Sequence, residues 1–86
     1  MNLIVEVKQE HIDRGVRRSF CECPIARALI GAGSDYARAR VGRKICLIEY
    51  NKKFYSALLP LSACEFIRDF DAGLPVKPFT FTLELT

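Results

Sequence analysis

YARARVGRKICLIEYNKKFYSALL, residues 36–59, is the stretch from which the fold is read. Ala37, Ala39 and Val41 alternate with Arg38 and Arg40, the period-two pattern of a strand with one buried and one wet face. Ile45-Cys46-Leu47-Ile48 is apolar at every position, which predicts a central strand over Lys44–Tyr50 covered on both faces. Phe54 to Leu59 supplies a third strand, rich in residues that fit a pleated surface. Gly42-Arg43 offers a glycine at the first central position of a type II′ turn, and Asn51-Lys52 offers an asparagine that tolerates positive φ. A three-stranded antiparallel meander follows. Its first strand has a helical alternative, because Ala and Arg favour helices and Ser34 or Asp35 would cap one.

On the N-terminal side, Leu3, Val5 and Val7 alternate with Ile4, Glu6 and Lys8, an opening strand. Gln9–Gly15 reads as a helical turn stopped by Gly15, and Val16–Phe20 as a basic loop. Pro24, at home in the first position of a helix, opens a short one running to about Ile30, with Gly31 or Gly33 as the stop. Ile25, Ala28 and Leu29 share its buried face, and Arg27 points to solvent. On the C-terminal side, Ser62 and Glu65 match a capping box, with Leu61 stapled against Phe66. Ala63, Phe66, Ile67 and Phe70 form the apolar stripe of that helix, and Gly73 ends it. Pro75 and Pro78 carry an extended chain into a half-buried strand over Phe79–Leu85. The fold class is α+β in the order β-α-β-β-β-α-β. It is a small, mostly antiparallel sheet that includes the terminal strands, with two helices packed on one face.

Eighty-six residues, 50% hydrophobic and 27% charged, suit one globular domain over 1–86 and lie far from the composition of disorder. No apolar run approaches the roughly 18 residues that span a bilayer, and Met1–Val7 lacks the marks of a leader, so a cytoplasmic protein without membrane contact is expected. Its four cysteines are expected to be reduced thiols. The net charge of +3 hides an asymmetry: ten basic residues face three acidic ones between Arg14 and Lys53, a net +7 against −4 elsewhere.

Cys21-x-Cys23 has a gap too short for a zinc knuckle, so no metal is expected there. Cys23, ahead of Pro24, sits where a helix N-terminus lowers a thiol pKa; the plainer reading is a packing cysteine in a tight turn. His11 is the only histidine and the only partner for a Cys-His pair. Gly31-Ala32-Gly33 follows a helix instead of opening one, so it is no phosphate loop, and Asp69 and Asp71 face different directions. No catalytic residue, cofactor or metal is assigned. The informative feature is basic: Arg17, Arg18, Arg38, Arg40, Arg43, Lys44, Lys52 and Lys53 are the candidate binding residues. Tyr36, Tyr50, Phe54 and Tyr55 nearby are candidates to stack on bases. Edge strands also carry basic residues to prevent sheet-to-sheet pairing.

His11-Ile12, Gly15 and Cys23-Pro24-Ile25-Ala26-x-Ala28 carry a resemblance, continued by Tyr55, Phe66-Ile67, Phe70-Asp71-x-Gly73 and Val76-x-Pro78-Phe79-x-Phe81. The pattern resembles a family of small uncharacterised proteins of bacteriophage and bacterial genomes, with residues 31–51 matching only as a strand pattern. The resemblance implies a phage or mobile-element setting and no particular activity. The expected function is a small non-enzymatic binding protein, its partner a nucleic acid or other polyanion held by the basic hairpins. A protein-interaction module is the alternative, an inhibitor of a host factor or a homodimer formed through an edge strand. A thiol enzyme or redox protein built on Cys23 and His11 comes third.

Overall fold

The computed structural model describes residues 2–31 and 36–85. The elements run β1 (Asn2–Val7), α1 (Gln9–Arg14), α2 (Pro24–Gly31), β2 (Tyr36–Val41), β3 (Ile45–Tyr50), β4 (Lys53–Leu58), α3 (Leu61–Asp71) and β5 (Phe79–Glu84). The α+β class and the meander are as expected. Ser34 and Asp35, the caps of the helical alternative, and Gly33 lie outside the described residues.

The single sheet is corrected. β1 and β5 pair with each other in a two-stranded antiparallel sheet, and β2-β3-β4 form a separate three-stranded one. The register Val5↔Phe81 places alternate apolar residues of both terminal strands on one face, where Val5, Val7, Phe81 and Leu83 are buried. Helix α2 packs against both β1 and β2. Four of its residues, Ile25, Ala26, Ala28 and Leu29, are no more than 2% exposed, which makes it the centre of the core. Burying Ile25 or Leu29 stabilises the fold by about 1.5–3 kcal/mol each. Helix α3 closes the core with the stripe expected of it, Ala63, Phe66, Ile67 and Phe70. It meets β5 through the Phe66 and Phe79 rings, 4.7 Å apart.

The ends of these elements are set by local hydrogen bonds, not all of them the expected ones. Cys23 precedes Pro24 as the cap of α2: its carbonyl accepts from the Arg27 amide and its Sγ from the Ala26 amide at 3.4 Å. Gly73, at φ +79°, closes α3 in a Schellman motif, its amide donating to the Phe70 carbonyl and that of Leu74 to the Asp69 carbonyl. The capping box at Ser62 is not formed. The Ala63 and Cys64 amides both donate to the Pro60 carbonyl, so α3 begins two residues earlier, with Pro60 as its cap and Ser62 exposed inside the first turn. Leu61, 73% exposed, makes no staple.

Gly15 does end α1, but by packing and not by a left-handed backbone. A Cβ there would lie 2.6 Å from Cγ and Cδ of the buried Pro24. The β2–β3 turn is centred on Arg43-Lys44, with the Gly42 amide donating to the Ile45 carbonyl, not on Gly42-Arg43. At the β3–β4 turn both Asn51 and Lys52 take positive φ, +51° and +63°, the two left-handed residues of a type I′ hairpin.

Candidate functional site

Alternation along three paired strands sorts their side chains onto two faces. On the inner face Ala39, Val41, Cys46, Ile48 and Ala57 are buried against the core. The outer face is ordered in rows by the register: Arg38 beside Glu49 beside Phe54, then Arg40 beside Leu47 beside Ser56, then Ile45 beside Leu58. The expectation that β3 is covered on both faces is overturned here. Ile45 and Leu47 are about half exposed and Leu58 and Phe54 are 76% and 81% exposed, because both long helices contribute to the core behind the sheet. Cys21 and Ile30 rise beside this face, and with Arg38, Arg40, Leu47 and Phe54 they bound a groove of about 640 Å³.

The eight basic candidates do not form one patch. Arg38 and Arg40 lie side by side on the outer face of β2. Arg43 and Lys44 are exposed at one end of β3, whereas Lys52 and Lys53 are exposed at the other, about 20 Å away along a six-residue strand. Arg17 and Arg18 belong to the loop after α1, which folds back on the end of α3. There the Arg18 amide donates to Asp71 Oδ1 at 2.9 Å while Arg18 itself holds φ +60°. Among the stacking candidates, Phe54 is on the open face. Tyr50 and Tyr55 sit half-buried, ring centroids 6.3 Å apart, and the Tyr36 side chain lies outside the described residues.

The edge of β2 is partly closed. The Val41 amide donates to the Phe20 carbonyl at 2.8 Å, and the register shifts between Tyr36 and Arg38, two devices that obstruct strand-to-strand pairing along that edge. The loop carrying Phe20 is itself tied down, by the Val16 amide to the Glu22 carbonyl and the Glu22 amide to Ser19 Oγ. Nothing in the run Ser19-Phe20-Cys21 marks it as an edge cover in the sequence.

The thiols and the histidine differ in their surroundings. Cys21 is exposed, while Cys23 is buried. Burial pushes the Cys23 thiol above its ordinary value, and the Asp71 carboxylate adds in the same direction. The depression expected from the helix N-terminus is therefore outweighed, although the Ala26 and Ile25 amides do pull the other way. Cys46, fully buried in β3, is pushed up by burial to about 11. His11 Nδ1 accepts the Lys8 amide at 2.9 Å, so this ring caps the N-terminus of α1. Among the described residues no group of three His, Cys, Asp or Glu side chains is placed to hold a metal ion. No helix among them is long and apolar enough to cross a membrane.

No protein-family model, curated protein or solved structure matches the chain.

Proposed function

We propose that this is a small non-enzymatic binding protein of a phage or mobile element, which takes single-stranded nucleic acid on the open face of the β2-β3-β4 sheet. The observation that carries the reading is Phe54, 81% exposed in the same row of that face as Arg38 and one row from Arg40. An exposed ring offers a stacking platform to an unpaired base, and the two guanidinium groups on β2, across β3 from it, meet the phosphates of the same strand. Phosphate contacts of this kind carry no base information, so binding is largely independent of sequence. The groove favours a single strand over a duplex, whose bases are stacked and unavailable to Phe54.

Titration of fluorescent single-stranded and duplex oligonucleotides at two salt concentrations tests it. The single strand binds more tightly, and its log K falls with log salt by roughly 0.7 per phosphate contact. Arg38→Gln with Arg40→Gln flattens that slope by about 1.4, and Phe54→Ala weakens binding by about 1–3 kcal/mol without changing it. Absence of binding at the lower salt removes the proposal.

A second reading is favoured by Ile45, Leu47 and Leu58, three exposed apolar side chains in adjacent rows of the same face. On that reading the same face docks a protein, either a host factor or a second subunit. Leu47→Asp then abolishes capture of the protein partner, and oligonucleotides produce no response in the wild type.

A further inference from the structure

Apart from the sheet face, a second concavity of about 650 Å³ opens where the loop after α1, the β2–β3 turn and α3 meet. Three arginines from these three segments, Arg18, Arg43 and Arg68, line it together with one acid, Asp71. They are 25 residues or more apart in sequence, so only the tertiary fold unites them. Arg18 is held in a left-handed backbone conformation that a non-glycine residue adopts at a cost of about 1 kcal/mol or more, and its amide is fixed on the Asp71 carboxylate at 2.9 Å. Arg68 is oriented by Nε, 3.4 Å from Asp69 Oδ1. Val41 and Ile67 give the cleft an apolar part, and the half-buried Cys64 also lines it.

We infer that this cleft is a binding site for a phosphate monoester, the phosphate held by Arg43 and Arg68 and the carrier group resting on the apolar part. The lining side chains carry three positive charges against the one negative charge of Asp71, and the excess stays positive after Asp69 beside Arg68 is counted, which suits an anionic phosphate monoester. Guanidinium groups present paired donors in the geometry that phosphate oxygens accept. The volume lies in the range of small-ligand sites. The same chemistry comes from a free nucleotide or from the 5′-phosphate at the end of a strand, and the site requires neither Phe54 nor Arg38.

Calorimetric titration with adenosine 5′-monophosphate, with adenosine, and with one short oligonucleotide bearing either a 5′-phosphate or a 5′-hydroxyl tests this at constant ionic strength. The phosphate-bearing probes bind saturably and their unphosphorylated counterparts bind at least tenfold more weakly at this site. A gain in affinity from the 5′-phosphate on the oligonucleotide identifies a strand end, and a gain confined to the mononucleotide identifies a free ligand; both support the site. Arg43→Gln, in an exposed turn and so harmless to folding, weakens phosphate binding at least tenfold, and Arg68→Gln does the same, whereas Lys77→Gln, at an exposed lysine outside the cleft, leaves it unchanged. As a readout independent of heat, adenosine 5′-monophosphate slows alkylation of Cys64, followed by peptide mapping, and leaves that of the exposed Cys21 unaffected. Equal response to phosphorylated and unphosphorylated probes, or unchanged affinity in both Arg43→Gln and Arg68→Gln, overturns the inference.

Discussion

Cys46 makes the fold sensitive to alkali in a way that can be worked out from its position. Its side chain is fully buried in the central strand, and burial raises the thiol from the ordinary value of 9.0 to about 11. The unfolded chain, with its thiol in water, gives up the proton first. Stability contributed by the neutral buried thiol is therefore complete below about pH 9 and is lost as pH rises towards 11. One pKa unit corresponds to about 1.4 kcal/mol, so the loss is about 1.4 kcal/mol at pH 10 and approaches about 2.7 kcal/mol beyond the folded value. For 86 residues, with a total stability of about 4–13 kcal/mol, this is a large fraction. Urea unfolding followed by circular dichroism in the presence of reductant, at pH 8 and pH 10, measures it. The midpoint falls by about 1 M for a denaturant slope near 1 kcal/mol per molar. Cys23 is raised by burial as well and adds in the same direction, as do other groups that titrate there. The diagnostic quantity is thus the difference between wild type and Cys46→Ala. The variant is less stable at pH 8 because an atom is missing from the core, but its midpoint falls less between the two pH values. Parallel loss of stability in the two proteins would refute the assignment to Cys46.

Three substitutions probe other steps of the folding argument. Lys52→Gly relieves a left-handed residue in the type I′ turn and raises stability by about 0.5–1 kcal/mol, or several degrees in melting temperature by calorimetry. Gly15→Ala drives a methyl group into the Pro24 ring and lowers stability by about 1–3 kcal/mol in the same measurement, whereas a neutral result would mean that α1 shifts freely on α2. Ser62→Ala, at an exposed position inside the first turn of α3, changes stability by no more than about 0.5 kcal/mol, and a loss of 1 kcal/mol or more by urea denaturation would restore Ser62 as the cap.

What the sequence disclosed was local in origin. Pro24 with the apolar set behind it, Gly73 after the stripe of α3, and Asn51 between two strands each meet a requirement imposed by a few neighbouring residues, and each was readable. The pairing of β1 with β5 alone joins the two ends of the chain, and nothing within either strand records which partner it takes. Helix α3 starts two residues before its capping-box signature indicates, because a serine followed three positions later by a glutamate fits a capping box whether or not a proline carbonyl has already opened the turn. The arginine cleft was half legible. Arg18 and Arg43 were candidates by charge, but Arg68 reads in sequence as the wet face of a helix, and its convergence with them depends on the loop folding back to Asp71.

The open face of the sheet is different, since a signal for it was available. Cys46 and Leu47 are adjacent and both apolar, yet one is fully buried and the other is half exposed, because successive residues of a strand point to opposite faces. Which of the two faces water is decided by the neighbouring strand, where Arg38 and Arg40 must stay wet. The turn centred on Arg43-Lys44 sets Arg40 across from Leu47 and Arg38 across from Glu49. A turn centred on Gly42-Arg43 would move the register by two residues and set Arg40 across from Ile45 and Arg38 across from Leu47. A shift of two preserves the face of every side chain, whereas a shift of one reverses it. Both turns therefore put Ile45 and Leu47 beside the arginines, and covering that face of β3 would have buried two guanidinium groups along with it. The apolar run in β3 does not call for cover from within this chain. It supplies the apolar part of a surface whose charged part comes from β2, with Leu47 directly across from Arg40 and Phe54 in the row of Arg38 with Glu49 between them.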